Sequence, residues 1–137
     1  MPESIGKLTA LTHLYLYINQ IISEVPASIG NLTALTYLAL NNNQLTSLPA
    51  SICDLKALTK LYLDSNHLTS VPDWIGDLTG LTSLHFEINQ LTSVPASIGN
   101  LRSLEHLSLH DNFLASLPPE FGNLGSRPTT STSRATV

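Results

Sequence analysis

A unit of 23 residues repeats along this chain, and it constrains the fold more than any other feature. In the clearest copy, Leu58, Leu61, Leu63 and Asn66 form the pattern L-x-x-L-x-L-x-x-N. The same frame starts at positions 35, 81 and 104, always 23 residues apart, and a 24-residue copy starts at position 11. A fixed period of this length predicts a solenoid, in which each copy forms one coil that stacks on the next.

Each copy contains the signals of two different backbone conformations. The alternation in Leu61-Tyr62-Leu63 predicts a short strand whose leucines face the core. Pro72 then precedes apolar residues at a spacing of three, Ile75 and Leu78, which is typical of a 3₁₀ helix or a single turn. One coil cannot bury enough apolar surface to fold alone, so we expect stacked strands to form a parallel sheet.

An asparagine occupies the ninth position of every copy, where the strand ends and backbone groups lose their sheet partners. Its side chain both donates and accepts hydrogen bonds, so a stack of asparagines can satisfy these groups. The members of this asparagine column are Asn19, Asn43, Asn66, Asn89 and Asn112. We predict a structural role for the asparagine column.

The extended pattern L-x-x-L-x-L-x-x-N-x-L-x-x-L-P-x-x-I-x-x-L resembles the leucine-rich repeat family over residues 2–124. The resemblance implies an α/β-type solenoid, a horseshoe segment. It would have a parallel concave β-sheet of about five short strands and a 3₁₀ or irregular convex side. The 23-residue period is similar to that of the intracellular, Ras-associated subclass. The 24-residue first copy is also similar to plant receptor-type repeats.

The repeat pattern defines the domain organisation. Residues 1–124 form the repeat domain, with a half repeat at 1–10 and full repeats starting at 11, 35, 58, 81 and 104. Neither end carries a recognisable capping segment, so we expect partly exposed leucines there. A fragment of a longer protein or self-association through uncapped ends would explain this. Residues 125–137 are rich in Ser and Thr without apolar periodicity, which predicts a disordered tail.

The strand residues that point away from the core are candidates for binding a partner on the concave face. All four tyrosines and all five histidines lie at the third, fifth, seventh or tenth position of a copy. Tyrosine gives a large, rigid contact area and one polar end, and β-propensity explains the tyrosines better than the histidines. The candidate partner-binding residues are His13, Tyr15, Tyr17, Tyr37, Lys60, Tyr62, Asp64, His85, Glu87, His106 and His110.

Charge and cysteine content narrow the function classes. Residues 1–124 contain four basic and ten acidic side chains, a net charge of −6, which argues against nucleic acid or an anionic membrane as the main partner. The one cysteine, Cys53, has no partner for an intramolecular disulfide and stands where other copies have glycine. With no signal peptide and no apolar run of membrane-spanning length, we expect a cytoplasmic protein.

Two chemical readings of the concave face are weaker than protein binding. Asp64, Glu87 and His110, with His85 nearby, could hold a zinc ion, but no second shell or metal motif accompanies them. Ser108 lies beside His85 on the neighbouring strand, yet no oxyanion donors or strained elbow point to catalysis. We therefore predict no metal, no cofactor and no enzymatic activity.

The sequence indicates a module that binds another protein through its concave face, in intracellular signalling or scaffolding. Resemblance to the Ras-associated subclass implies a small GTPase, phosphatase or kinase as the partner. Two alternatives remain open. The chain could be the recognition part of a larger enzyme or receptor, of the ubiquitin ligase or receptor kinase type, or a vestigial fragment without a partner.

Overall fold

Six coils stack into one solenoid in a computed structural model, which describes residues 1–19, residues 22–124 and the backbone of 129–131. Every strand has three residues, and all pair in parallel in chain order. The strands are β1 (His13–Tyr15), β2 (Tyr37–Ala39), β3 (Lys60–Tyr62), β4 (Ser83–His85), β5 (His106–Ser108) and β6 (Thr129–Ser131). Equivalent repeat positions lie side by side, as in the register Tyr15↔Ala39 and Ala39↔Tyr62. The predicted parallel-sheet solenoid is confirmed.

The opposite side of the solenoid consists of six 3₁₀ helices, each five residues long and each preceded by a proline in extended conformation. Their bounds are η1 (Glu3–Lys7), η2 (Ala27–Asn31), η3 (Ala50–Asp54), η4 (Asp73–Asp77), η5 (Ala96–Asn100) and η6 (Pro119–Asn123). Proline has no backbone N–H and a fixed φ, so it begins a helix without losing a hydrogen bond. The predicted 3₁₀ convex side is also confirmed.

The core lies between the sheet and the 3₁₀ helices. It is built from the repeated leucines, together with isoleucines of the 3₁₀ helices such as Ile52 and Ile75, which are fully buried. Phe86 replaces the leucine at the sixth position of the fourth copy and is also fully buried. Each coil therefore buries its apolar side chains against the coils beside it.

The asparagine column binds neighbouring coils together. Asn66 donates from Nδ2 to the carbonyl oxygens of Leu40 (3.0 Å) and Leu63 (3.1 Å), and its Oδ1 accepts from the backbone N–H of Leu45 (3.0 Å). Asn89 and Asn112 repeat this arrangement. Asn43 keeps the donor bonds, while its buried Oδ1 accepts no hydrogen bond from the residues that the structure describes.

A glycine near the end of most 3₁₀ helices lets the next coil approach closely. A Cβ atom at Gly76 would lie 2.6 Å from the carbonyl oxygen of Ser97. In η3 the equivalent residue is Cys53 instead of glycine. Trp74 follows Cys53 at the same distance in sequence as Ser97 follows Gly76, and Trp74 is partly buried against the core. The helices η3 and η4 pack less closely than the other neighbouring 3₁₀ helices, as the added side chains require.

The ends of the solenoid differ from its middle. Leu8 near the first coil is 51% exposed and Leu117 in the last full repeat is 37% exposed. At residues 129–131 the structure differs from the prediction of a disordered tail, because β6 pairs with the open edge of β5. The rest of the tail, 125–128 and 132–137, lies outside the described residues. Within the described part of the chain, no helix is long and apolar enough to cross a membrane.

Candidate functional site

Aromatic rings form a continuous row across the concave face, which we call the aromatic ladder: His13, Tyr15, Tyr37, Tyr62 and His85. Ring centroids are 4.8 Å apart between Tyr15 and Tyr37 and 5.3 Å apart between Tyr37 and Tyr62. Tyr62 stacks on His85 at 4.6 Å with an interplanar angle of 14°. The tyrosines of the first three copies are thus joined to the histidine of the fourth.

One small residue, Ala39, leaves space for the rings of the aromatic ladder. Ala39 lies between Tyr15 and Tyr62 in the register, yet it is 3% exposed although it points away from the core. The ring of Tyr37, from the neighbouring column, closes the gap between Tyr15 and Tyr62 and so covers this alanine. Burial, followed by the neighbouring Tyr62, raises the pKa of Tyr37, so the phenol stays neutral at physiological pH. The result is a surface built mainly from aromatic rings.

Tyr17 and Tyr15 are the accessible end of this surface. Tyr15 is 53% exposed and Tyr17 is 50% exposed, and their rings meet edge to face with centroids 6.4 Å apart. Because two large rings are already held by their neighbours, little rotamer entropy is lost when a partner covers them. Tyr15 and Tyr17 are therefore well suited to anchor a contact.

Two carboxylates, the acidic pair Asp64 and Glu87, follow strands β3 and β4 beside the aromatic ladder. Glu87 Oε1 lies 3.2 Å from Nδ1 of His85, and its Oε2 is buried. Burial alone would raise the pKa of Glu87, but the hydrogen bond with His85 and other donors outweigh burial and lower it. Burial, and then the charge of Glu87, raises the pKa of Asp64. The acidic pair thus offers negative charge at the edge of an apolar surface.

Two other candidates, Lys60 and His106, are exposed on the third-position column. Nδ1 of His110 lies 2.8 Å from Oδ2 of Asp111. Across the described residues, no three His, Cys, Asp or Glu side chains could hold a metal ion together.

Replacing Asp64 with asparagine is expected to stabilise the fold at pH 7 by less than about 1 kcal/mol, since the group is half exposed. The raised pKa means that the charged carboxylate is disfavoured in the folded state. The gain should be present above the raised folded-state pKa, decrease as the pH falls through it, and vanish below the ordinary value of an aspartate. Urea unfolding at pH 7 and pH 3 would measure it. A loss of stability at pH 7 would contradict the prediction.

The eighth residues of the five copies, which we call the ridge, were not among the candidate binding residues predicted from the sequence. Its residues border the concave face and have positive φ: Ile18 (58°), Asn42 (56°), Ser65 (55°), Ile88 (54°) and Asp111 (54°). Asparagine and aspartate tolerate this conformation, whereas a β-branched residue there is a true outlier. Ile18 is 64% exposed and Ile88 is 52% exposed. Isoleucine at a position that otherwise carries Asn, Ser or Asp was the signal available in the sequence.

Comparisons with known proteins agree with this geometry. The sequence model of a protein family described as leucine-rich repeat region matches residues 1–89. A second family model, described as leucine rich repeat, matches residues 103–124. Among curated proteins, none matches the chain. A solved leucine-rich repeat protein of Leptospira interrogans is 37% identical, with a TM-score of 0.90, over 96% of this chain and 33% of its own.

Plant structures are similar as well. The ectodomain of the membrane receptor kinase GASSHO1/SCHENGEN3 from Arabidopsis thaliana, in complex with CASPARIAN STRIP INTEGRITY FACTOR 2, is 34% identical with a TM-score of 0.84. It aligns over 95% of this chain and 16% of that one. The PEPR1–AtPEP1 structure is 40% identical with a TM-score of 0.86, over 95% and 19%. This chain therefore spans a third or less of the length of these proteins.

Proposed function

Because the chain belongs to the leucine-rich repeat family, we propose that it binds another protein through its concave face and performs no chemistry of its own. The observation that carries the proposal is the aromatic ladder, which joins four coils into one surface with two half-exposed tyrosines at its end. Exposed aromatic rings held in place by their neighbours are typical of protein-binding surfaces. More specifically, we propose a cytoplasmic signalling role with a small GTPase, phosphatase or kinase as the partner. The 23-residue period supports this role.

A second candidate is the recognition segment of a longer protein, such as a receptor kinase. It is favoured by the small fraction of each similar structure that this chain spans. Its concave face would bind in the same way, as one part of a longer surface. The mass of the native polypeptide on an immunoblot distinguishes this candidate from a chain of 14.8 kDa.

Changing Tyr15, Tyr37 and Tyr62 together to alanine is expected to weaken partner binding by about tenfold or more, because buried aromatic contacts contribute most of the energy of an interface. The immobilised chain and its variant would be compared for proteins captured from a lysate, after circular dichroism shows that both are folded.

A matched control places three alanines on the convex side, at Thr33, Thr79 and Arg102, which are exposed two residues after their 3₁₀ helices. The control should capture the same protein as the unchanged chain. Equal capture by the tyrosine variant, or loss of capture by the convex control alone, would contradict binding through the aromatic ladder.

A further inference from the structure

The aromatic ladder presents its rings at a fixed spacing along the solenoid. Tyr15 and Tyr62 occupy the fifth position of the first and third full repeats, and Ala39 lies between them in the register. The ring of Tyr37 closes the space between these two tyrosines, with its centroid 4.8 Å from that of Tyr15 and 5.3 Å from that of Tyr62. Two steps of about 4.8 Å between strands therefore place two equivalent ring positions about 9.6 Å apart.

We propose that the aromatic ladder and the acidic pair bind a polyproline II segment of the partner with the pattern Pro-x-x-Pro-x-Arg. The two prolines pack on the rings of Tyr15 and Tyr62, and the arginine pairs with Asp64 in the field of Glu87. The inference rests on the proposed function, because it names the chemistry of the partner segment that the same concave face binds.

The spacing of the rings matches this backbone conformation. A polyproline II helix rises about 3.1 Å per residue with three residues per turn, so residues i and i+3 lie on one side about 9.3 Å apart. Side chains on one side of an extended β-segment recur about every 6.6 Å. Positions i and i+7 of an α-helix are about 10.5 Å apart. Of the three conformations, polyproline II comes closest to the separation of about 9.6 Å between Tyr15 and Tyr62.

The chemistry of the ladder also suits proline. The described strands pair with one another through their backbone groups, so a segment that lies on the face of the sheet is recognised by side chains. Proline rings pack on aromatic rings, and the carbonyl groups of polyproline II, which have no internal partners, accept hydrogen bonds from tyrosine hydroxyls. Both surfaces are ordered before they meet, because the tyrosine rings contact one another and polyproline II is preformed. Binding therefore costs little conformational entropy.

The acidic pair lies beside the end of the ladder, where such a segment continues past Tyr62. Asp64 follows Tyr62 by two residues and is partly exposed, while Leu63 between them is buried in the core. The side chains of Tyr62 and Asp64 therefore lie on the same, concave side. Two residues beyond the second proline, the segment has advanced about 6 Å, a little more than one coil. An arginine at that position is long enough to reach Asp64.

Charge selects a cation at this position. Glu87 on the next coil has its Oε1 3.2 Å from Nδ1 of His85 and a buried Oε2, so it acts through its charge rather than as a direct partner. Burial, and then the charge of Glu87, raises the pKa of Asp64. A cationic side chain relieves the repulsion between the two carboxylates, and a planar guanidinium binds a carboxylate through two parallel hydrogen bonds. On the other side of Tyr62, the exposed Lys60 would repel a cation.

The size of the face suits a linear segment. Five strands of about five residues present about 400 Å², whereas a standard interface buries about 800 Å² on each partner. Six residues of polyproline II span about 15–19 Å. The five strands of the full repeats span about 19 Å. A short segment thus fills the face, while a folded domain would need about twice this area.

The test uses three fluorescein-labelled peptides and the full chain, with binding measured by fluorescence polarisation. The first contains Pro-Ala-Thr-Pro-Ala-Arg, and the second replaces Arg with Glu. The third, Pro-Ala-Thr-Ala-Pro-Arg, has the composition of the first but shifts the second proline by one position. The first peptide is expected to bind at least about tenfold more tightly than either control. Equal affinity of the first peptide and either control, or no binding of the first, would overturn the inference.

The double variant Asp64→Asn, Glu87→Gln tests the charge separately from the rings, after circular dichroism shows that it is folded. It should bind the first peptide at least about fivefold more weakly and should no longer distinguish Arg from Glu. Asp64→Asn alone, which is expected to stabilise the fold, should weaken binding in the same direction. The matched control, Asp73→Asn with Asp77→Asn, removes the same charge from exposed positions of η4 and should leave the affinity unchanged. Undiminished preference for Arg in the acidic-pair variant would overturn the inference.

The alanine variant of Tyr15, Tyr37 and Tyr62 separates this inference from the proposed function. If that variant loses the protein captured from a lysate while the unchanged chain binds none of the peptides, the proposed function stands and the polyproline II segment is wrong. If the first peptide binds the variant as tightly as the unchanged chain, the aromatic ladder is not its site and the inference is overturned.

Discussion

Replacing Asn66 with alanine is expected to lower the free energy of unfolding by about 3–5 kcal/mol, because a buried N–H left without a partner costs about 1–3 kcal/mol and each of two further lost hydrogen bonds costs about 1 kcal/mol. The substitution leaves the Leu45 N–H without its acceptor and removes one hydrogen bond each from the Leu40 and Leu63 carbonyls, which still accept from Asn43 and Asn89. Asn66 itself is 5% exposed. The loss is a large fraction of the total for a domain of this size. Urea unfolding followed by circular dichroism would measure it.

Asn19 at the first coil provides the control. It occupies the same repeat position but is exposed, and among the described residues its side chain makes one hydrogen bond, from Nδ2 to the carbonyl of Leu16 (3.1 Å). Asn19→Ala should therefore cost less than about 1 kcal/mol. Similar losses from the two substitutions would show that stacking between coils does not depend on the asparagine column.

Replacing Gly76 with alanine is expected to lower the free energy of unfolding by about 2–3 kcal/mol, the upper part of the range for overpacking. The new Cβ atom would lie 2.6 Å from the carbonyl oxygen and 2.8 Å from the Cβ of Ser97. Because the nearest atoms include the backbone of the next coil, η5 would have to move away from η4. Thermal unfolding monitored by circular dichroism would detect the loss.

Gly122 is the matched control, since it has the same position in η6 and an added Cβ atom there meets none of the described residues within 4 Å. Gly122→Ala should leave stability unchanged or raise it by about 0.5 kcal/mol, through a smaller entropy of the unfolded chain. A loss at Gly122 as large as that at Gly76 would mean that helix conformation, rather than close packing between coils, requires glycine.

The repeat pattern was sufficient to predict the fold because each coil obeys the same local rules. Alternation around Leu61 predicted a strand, and Pro72 followed by Ile75 predicted a 3₁₀ helix, and both are confirmed. Stacking then follows from the shared period, since one coil cannot fold alone. The prediction of protein binding as a class is likewise in agreement with the family to which the chain belongs.

The arrangement of the concave face was less predictable, because it depends on side chains of neighbouring columns. The sequence indicated the tyrosines and His85 only as candidates on one face, whereas stacking of Tyr62 on His85 joins them into one row. Tyr37 joins Tyr15 to Tyr62, and the small, buried Ala39 lies between these two tyrosines in the register. The contact between Nδ1 of His110 and Oδ2 of its neighbour Asp111 was not indicated by the repeat positions.

The left-handed backbone of the ridge has a consequence for the handedness of the amino acids that the fold accepts. Positive φ disfavours L-residues because of the position of their Cβ, and a D-residue has the opposite preference. The hydrogen bonds that hold this conformation come from the backbone, as from Ile88 to the carbonyl of His110 (3.1 Å). The solenoid therefore contains five positions, one in each full repeat, at which a mirror-image amino acid suits the native chain better than a natural one.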